Sequence, residues 1–219
     1  TADRIRKGVE LIKSDPLIRK AFAKANFAML IQMYRSKQID GKRKSLGQAL
    51  HNDVDYTSLE DFTWRPFQLA FSLLTLESLV NEDSDFRDNV DLIWFPTGGG
   101  KTEAYLLSAS VIILYRRLLY KDEGAGTAVI TRYTLRLLTV QQFERTSRLV
   151  CALESIRSTE PETFGHIPVT IGIWVGKAST PNQFKNAKSR VDTLYEEEEP
   201  QSPFLLNSCP WCGDRKSVV

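Results

Sequence analysis

Three glycines followed by a lysine and a threonine are the residues of this chain best suited to chemistry. The run Trp94-Phe95-Pro96-Thr97-Gly98-Gly99-Gly100-Lys101-Thr102-Glu103 has the make-up of a loop that cradles phosphate. Glycines let a backbone curl round an anion without Cβ clashes. A lysine directly behind them reaches the β- and γ-phosphates, and the hydroxyl next to it ligates Mg²⁺. Pro96, Thr97, Gly98, Gly99, Gly100, Lys101, Thr102 and Glu103 are therefore the candidate ATP-binding residues. Lys101 and Thr102 are the candidate catalytic pair, and Thr102 is the candidate magnesium ligand. The bland reading is a glycine turn beside an incidental lysine, but the flanks argue against it. Val90 to Phe95 is a short apolar run that reads as a buried strand, and Glu103 to Tyr120 has apolar residues at helical spacing. Strand, glycine turn and helix is the order that aims backbone N–H groups at a phosphate.

The first glycine of the strict G-x-x-x-x-G-K-[ST] pattern is replaced by Phe95. Helicase-like motors often relax that position, so the departure points towards nucleic-acid-dependent ATPases. Gln68, 33 positions before Lys101, is a second candidate. Its carboxamide offers one donor and one acceptor, which match adenine N6 and N7. Phe62, Trp64 and Phe67 could stack on the base. The alternative is that Gln68 caps a helix or faces solvent.

Two further stretches suit nucleic acid. Thr131 to Gln142 sits where a second expected strand gives way to a helix, and it loosely follows helicase motif Ia. Hydroxyls, N–H groups at a helix start and arginines grip a phosphate backbone, which makes Arg132, Thr134, Arg136 and Gln141 the candidate DNA contacts. Equally, Leu135, Leu137 and Leu138 could be core, with the arginines on the surface. Gly172 to Asn182 is a weaker candidate of the same kind.

Cys209-Pro210-Trp211-Cys212-Gly213 is half of a zinc ribbon. Two thiolates on one tight turn can hold one ion, but a structural zinc site needs four ligands. No second pair follows, and Cys151, His51 and His166 are poorly placed to help. A redox Cys-x-x-Cys would want a thioredoxin-like strand before it.

The elements that position these residues follow from periodicity. Residues 1 to about 38 read as two helices, the first ending before Ser14-Asp15-Pro16 and the second running from Leu17 to Tyr34. Residues 39 to 60 read as a polar linker in which Lys42-Arg43-Lys44 is a solvated loop. A helix is expected from about Leu69 to Val80, and another from Thr139 to Ile156. Thr127 to Thr131 and Ile167 to Val175 read as the second and third strands. The alternation predicts an α/β fold, a partial RecA-like P-loop domain with a parallel sheet flanked by helices. The expected organisation is a helical segment over 1–60, the first half of an ATP-binding domain over 61–176, and a polar insertion over 177–219 that begins the zinc-ribbon-like element.

Composition sets outer limits. Hydrophobic residues make up 42% of the 219 and charged residues 26%, as in ordinary globular proteins. A net charge of +2 means that any contact with nucleic acid must be local. The longest apolar stretch, Ala104 to Tyr115, is too short for a bilayer and reads as a core helix, so no membrane partner is expected. The amino end has no apolar leader region, and three cysteines make no disulfide framework, which fits a cytoplasmic setting. No apolar strand ending in Asp-Glu is found, so the acidic pair that holds Mg²⁺ and polarises water is missing. On this reading the 219 residues alone are inactive.

Asp91 to Leu106 resembles the phosphate loop of superfamily 2 helicases, and in particular that of the DrmA family, the helicase-like component of the bacterial DISARM anti-phage system. Arg132-Tyr133-Thr134-Leu135-Arg136-Leu137-Leu138-Thr139, with Gln141 to Arg145, is similar to that family's next segment, and Trp174-Val175-Gly176 and the cysteine knuckle fit too. The similarity covers about residues 60 to 213. It implies an ATP- and Mg²⁺-dependent motor that acts on single- or double-stranded DNA alongside a partner defence protein. Two other readings stay open: a non-catalytic nucleic-acid-binding or scaffolding module with a structural nucleotide, and a P-loop ATPase unrelated to nucleic acid.

Overall fold

The structure is a computed structural model and describes residues 1–44, 54–56, 62–96, 98–133, 136–176, 181, 183–194, 206 and 208–214. Among the described residues the α-helices run in the order α1 (Ala2–Ser14), α2 (Pro16–Lys44), α3 (Pro66–Val80), α4 (Lys101–Tyr120), α5 (Arg136–Thr159), α6 (Pro161–Phe164) and α7 (Phe184–Leu194), with a 3₁₀ turn at Lys121–Ala125 after α4. Local signals set the first break. Pro16 disfavours helical backbone at Asp15, which is extended. The Asp15 carboxylate then accepts the N–H groups of Leu17 and Ile18 at 2.7 and 3.1 Å and so caps α2. Helix α2 runs on to Lys44, so the first part of the expected linker, Lys42-Arg43-Lys44 included, is helical instead. Helix α7 falls in the stretch expected to be an irregular polar insertion.

The core lies where α2 meets α4 and α5. Ala21, Ala25 and Ala28 recur on one face of α2 and are fully buried, together with Met29. Opposite them sit Leu107, Val111 and Leu114 of α4 and Leu149, Ala152 and Leu153 of α5. Phe22 and Phe27 also recur at helical spacing along α2. They are only partly buried, because the small alanines let the helices approach and take the tightest positions. Helix α1 packs on α3 in the same way. Gly8 meets the backbone of Leu73 so closely that a Cβ there would lie 2.2 Å from the Leu73 carbonyl oxygen. Lys7 pairs with the buried Glu77 carboxylate across the same contact. Among the described residues no helix is long and apolar enough to cross a membrane.

The expected parallel sheet is overturned. Among the described residues no strand forms, and the α/β, RecA-like arrangement is replaced by a helical assembly. The three stretches read as strands have no regular structure, and a period of two survives in the first and third: Asp91 and Ile93 turn partly inward while Val90, Leu92 and Trp94 turn out. What they lack is a ladder. Each is tied to the helices by side chains rather than to the others by backbone. Arg4 grips Asp91 with two bonds of 2.6 and 2.8 Å. Arg116 donates to the Thr127 carbonyl at 3.2 Å. Val169 N–H donates to the Glu154 carboxylate at 2.8 Å, and Arg117 donates to the Pro168 carbonyl at 3.2 Å. Val90, Ile130 and Trp174 are consequently 95%, 88% and 99% exposed. Apolar alternation marks a segment able to pair, but it does not supply the partner.

Candidate functional site

The glycine loop is built onto the amino end of α4, a helix of twenty residues. Gly98 and Gly100 have φ of +79° and +87°, the left-handed region open to glycine at little cost. Gly100 is also the residue that starts the helix, and a Cβ there would press to 2.7 Å from the Gln68 amide nitrogen. A Cβ at Gly98, by contrast, would meet nothing within 4 Å. One wall of the loop is thus packed and the other is open. The first N–H groups of α4 have no partner within the helix, and the helix dipole adds partial positive charge there.

Lys101 lies across the loop. Its ammonium donates to the carbonyls of Phe95 and Pro96 at 2.6 and 3.1 Å, and Gly99 N–H closes the turn on the Pro96 carbonyl at 3.1 Å. A phosphate at this place would compete for that ammonium as a charge-assisted acceptor. The Thr102 hydroxyl stands in the first turn of α4, 3.3 Å from the Tyr105 hydroxyl. Glu103 would place negative charge beside an anion, but Arg145 of α5 pairs with it. Loop, lysine, hydroxyl and helix end therefore fit a nucleoside triphosphate with Mg²⁺: Lys101 and the α4 N–H groups would hold phosphate and Thr102 the cation. Thr97 lies outside the described residues.

Gln68 is 5% exposed and props the loop from behind. Its carbonyl accepts Arg65 N–H at 2.9 Å, which caps α3, and its amide donates to the Gly100 carbonyl at 2.8 Å. Arg65 adds a bond of 2.8 Å to the Gly99 carbonyl. Of the expected stacking rings, Phe67 lies flat on Phe95 at 3.9 Å, Trp64 donates to Asn26 at 2.7 Å, and the Lys37 ammonium stands over Phe62 at 5.7 Å.

The second candidate segment sits next to the loop. Arg132 and Gln141 are exposed, Arg136 is the first residue of α5, and Thr134 lies outside the described residues. Between this segment and the loop is a polar group that sequence reasoning missed. The Tyr105 hydroxyl meets the Tyr133 hydroxyl at 3.1 Å and the Gln142 carbonyl at 3.2 Å. One signal was legible: Tyr105 stands three residues after Thr102, on the same face of α4.

The cysteine knuckle is a closed turn. Cys209 N–H donates to the Asp214 carbonyl at 2.7 Å, and Gly213 N–H, at φ +73°, donates to Cys209 at 2.8 Å. It is seated on the helices. Trp211 packs against the core, and the guanidinium of the fully buried Arg35 stands 4.4 Å from its ring centroid. Burial, aided by the Cys209 thiol, pushes the Cys212 thiol up. Burial also raises Cys151 of α5, on which Cys209 and Cys212 act electrostatically, so the fold brings Cys151 nearer the knuckle than its sequence position suggests. Among the described residues no three His, Cys, Asp or Glu side chains converge as a metal centre. His166 is instead beside Glu162 at 3.7 Å, and His51 lies outside the described residues.

No family model matches the chain. The chain is 37% identical to DISARM protein DrmA of Bacillus paralicheniformis over 229 aligned residues, a match that takes in 98% of this chain and 20% of that protein. The chain thus spans about a fifth of the length of the relative it matches. The resemblance to DrmA read from the loop and its neighbours is met by this similarity along nearly the whole chain.

Proposed function

We propose that this chain is the ATP-binding part of a helicase-like DNA translocase that works in the cytoplasm in bacterial anti-phage defence. One observation carries the reading: a glycine loop with two left-handed residues sits on the end of a long helix, with Lys101 across it and the Thr102 hydroxyl in the first turn. ATP and Mg²⁺ are the ligands this chemistry selects. When bound, Mg²⁺ neutralises phosphate charge. Lys101 and the α4 N–H groups orient the triphosphate, and Arg65 and Gln68 hold the loop carbonyls in register. Arg132, Arg136 and Gln141, on the segment that leads into and begins α5, are the residues that would meet a DNA backbone. The similarity to DrmA supports the defence setting and a partner protein from the same system. Cys209 and Cys212 supply two thiolates to a zinc half-site.

Equilibrium binding of Mg·ATP to the chain, with and without single- and double-stranded DNA, tests the reading. Saturable ATP binding together with DNA-stimulated hydrolysis by the longer protein is the expected result. ATP binding with no effect of DNA would favour an ATPase unrelated to nucleic acid. DNA binding with a nucleotide that is never hydrolysed would favour a scaffolding module.

A further inference from the structure

Tyr105 has no part in holding phosphate, yet its hydroxyl stands at the junction of three others. It lies 3.3 Å from Thr102 Oγ1, 3.1 Å from Tyr133 Oη and 3.2 Å from Gln142 Oε1. These three come from the first turn of α4, the extended stretch before α5, and α5 itself. A phenol has one proton to give, and an amide carbonyl can only accept. Thr102 and Gln142 therefore compete for the Tyr105 proton, while Tyr133 can donate its own to Tyr105. Burial, reinforced by the hydrogen bond with Tyr105, holds the Tyr133 phenol well above its ordinary range, so it keeps the proton this arrangement needs.

We propose that Tyr105 is a positioning residue that couples the cation-ligating Thr102 to α5, and so to the segment carrying Arg132, Arg136 and Gln141. A cation on Thr102 Oγ1 takes the lone pair that had accepted from Tyr105 and turns the threonine proton outward, towards Tyr105 Oη. The Tyr105 proton then has one acceptor left, the Gln142 carbonyl. The bond between α4 and α5 would thereby be fixed by occupancy of the cation site, through the contact of the cation with Thr102 Oγ1 and a rearrangement of hydrogen bonds. The ion pair between Glu103, one residue after Thr102, and Arg145, three residues after Gln142, keeps the two helices close enough for the short contact to persist. This inference rests on the proposed nucleotide site.

The test is nuclear magnetic resonance on the full chain, following the Gln142 side-chain amide and the Tyr105 Cζ carbon. The probes are ATPγS with Mg²⁺ and ATPγS with a chelator. In the wild type both signals are expected to move with Mg·ATPγS, and the Gln142 signal to stay put with chelated nucleotide. In Tyr105→Phe, Mg·ATPγS is expected still to bind while the Gln142 response is lost. Tyr133→Phe leaves the Thr102–Tyr105–Gln142 path intact and is expected to keep the response. A Gln142 response that survives in Tyr105→Phe, or that is the same with and without Mg²⁺, overturns the coupling and leaves the nucleotide site standing. Absence of any ATPγS binding in the wild type overturns both. Should Tyr105→Phe fail to fold, the Tyr105 Cζ signal of the wild type decides: no Mg²⁺-dependent movement refutes the coupling.

Discussion

The glycine loop and the cysteine knuckle are both tight turns closed by left-handed glycines, yet they face opposite ways. The loop keeps one side open: a Cβ at Gly98 would meet nothing within 4 Å, and Lys101 bridges the carbonyls of Phe95 and Pro96. The knuckle turns inward. Trp211 lies on the core under the Arg35 guanidinium, and a Cβ at Gly213 would touch Ile39 at 3.5 Å. The loop leaves its polar groups within reach of solvent. A turn built as a fastener spends its side chains on packing. The difference teaches that the same local backbone chemistry acquires its role from what the surrounding helices leave uncovered.

The contrast can be broken most sharply at Lys101. Lys101→Ala is expected to cost about 2–3 kcal/mol of phosphate affinity, the loss of a charge-assisted contact, with no fall in melting temperature. Calorimetric titration with ATP checks the first part and thermal unfolding the second. A variant that unfolded early would show that the lysine holds the loop together rather than the ligand.

Trp211→Ala should give the mirror image. Removing a half-buried aromatic from a packed contact is expected to cost about 2 kcal/mol of stability and leave ATP affinity unchanged. Unfolding in denaturant measures it. A loss of ATP affinity here would mean that the two turns communicate and are not the independent units their geometry describes.

Gln68→Ala is smaller and tests both sides at once. It strips partners from the Gly100 carbonyl and from Arg65 N–H, for about 1 kcal/mol of stability. Its effect on ATP against GTP separates two roles. A loss greater for ATP by about 1 kcal/mol is expected from an adenine contact, whereas equal losses would leave Gln68 as a prop of the loop.

The smallest effects concern the thiols. Cys151 and Cys212 are raised by burial, so each keeps its proton in the fold after the unfolded chain has begun to lose it. Their contribution to stability is full below the ordinary thiol pKa of about 8.5 and is lost as pH rises from there through the raised value in the fold. Denaturation midpoints taken from neutral to alkaline pH should therefore fall, and the fall should shrink in Cys212→Ser. Zinc added to the chain is expected to bind weakly and to leave with a chelator, since two thiolates leave the other positions to water. Tight, stoichiometric zinc would bring Cys151 in as the first ligand to examine.

What the sequence by itself determined is local. The break at Asp15-Pro16, the start of α4 directly behind three glycines, and the runs that became α3, α4 and α5 follow from capping residues, proline and helical spacing, which act within a few positions. The left-handed backbone at Gly98 and Gly100 was legible for the same reason, because glycine adopts that conformation at little cost. The tertiary structure decided everything that needs a distant partner. The short stretches 90–95, 127–131 and 167–175 announced strands, but a strand exists only with a neighbour, and side-chain tethers to helices took that place. Gln68 on Gly100, Arg145 on Glu103, and Tyr105 between Thr102 and Gln142 join residues more than thirty positions apart in all but one bond. The seat of Trp211 on the core likewise depends on helices far away in sequence. No local pattern encodes such pairs, because they arise only once helix packing has fixed which faces meet.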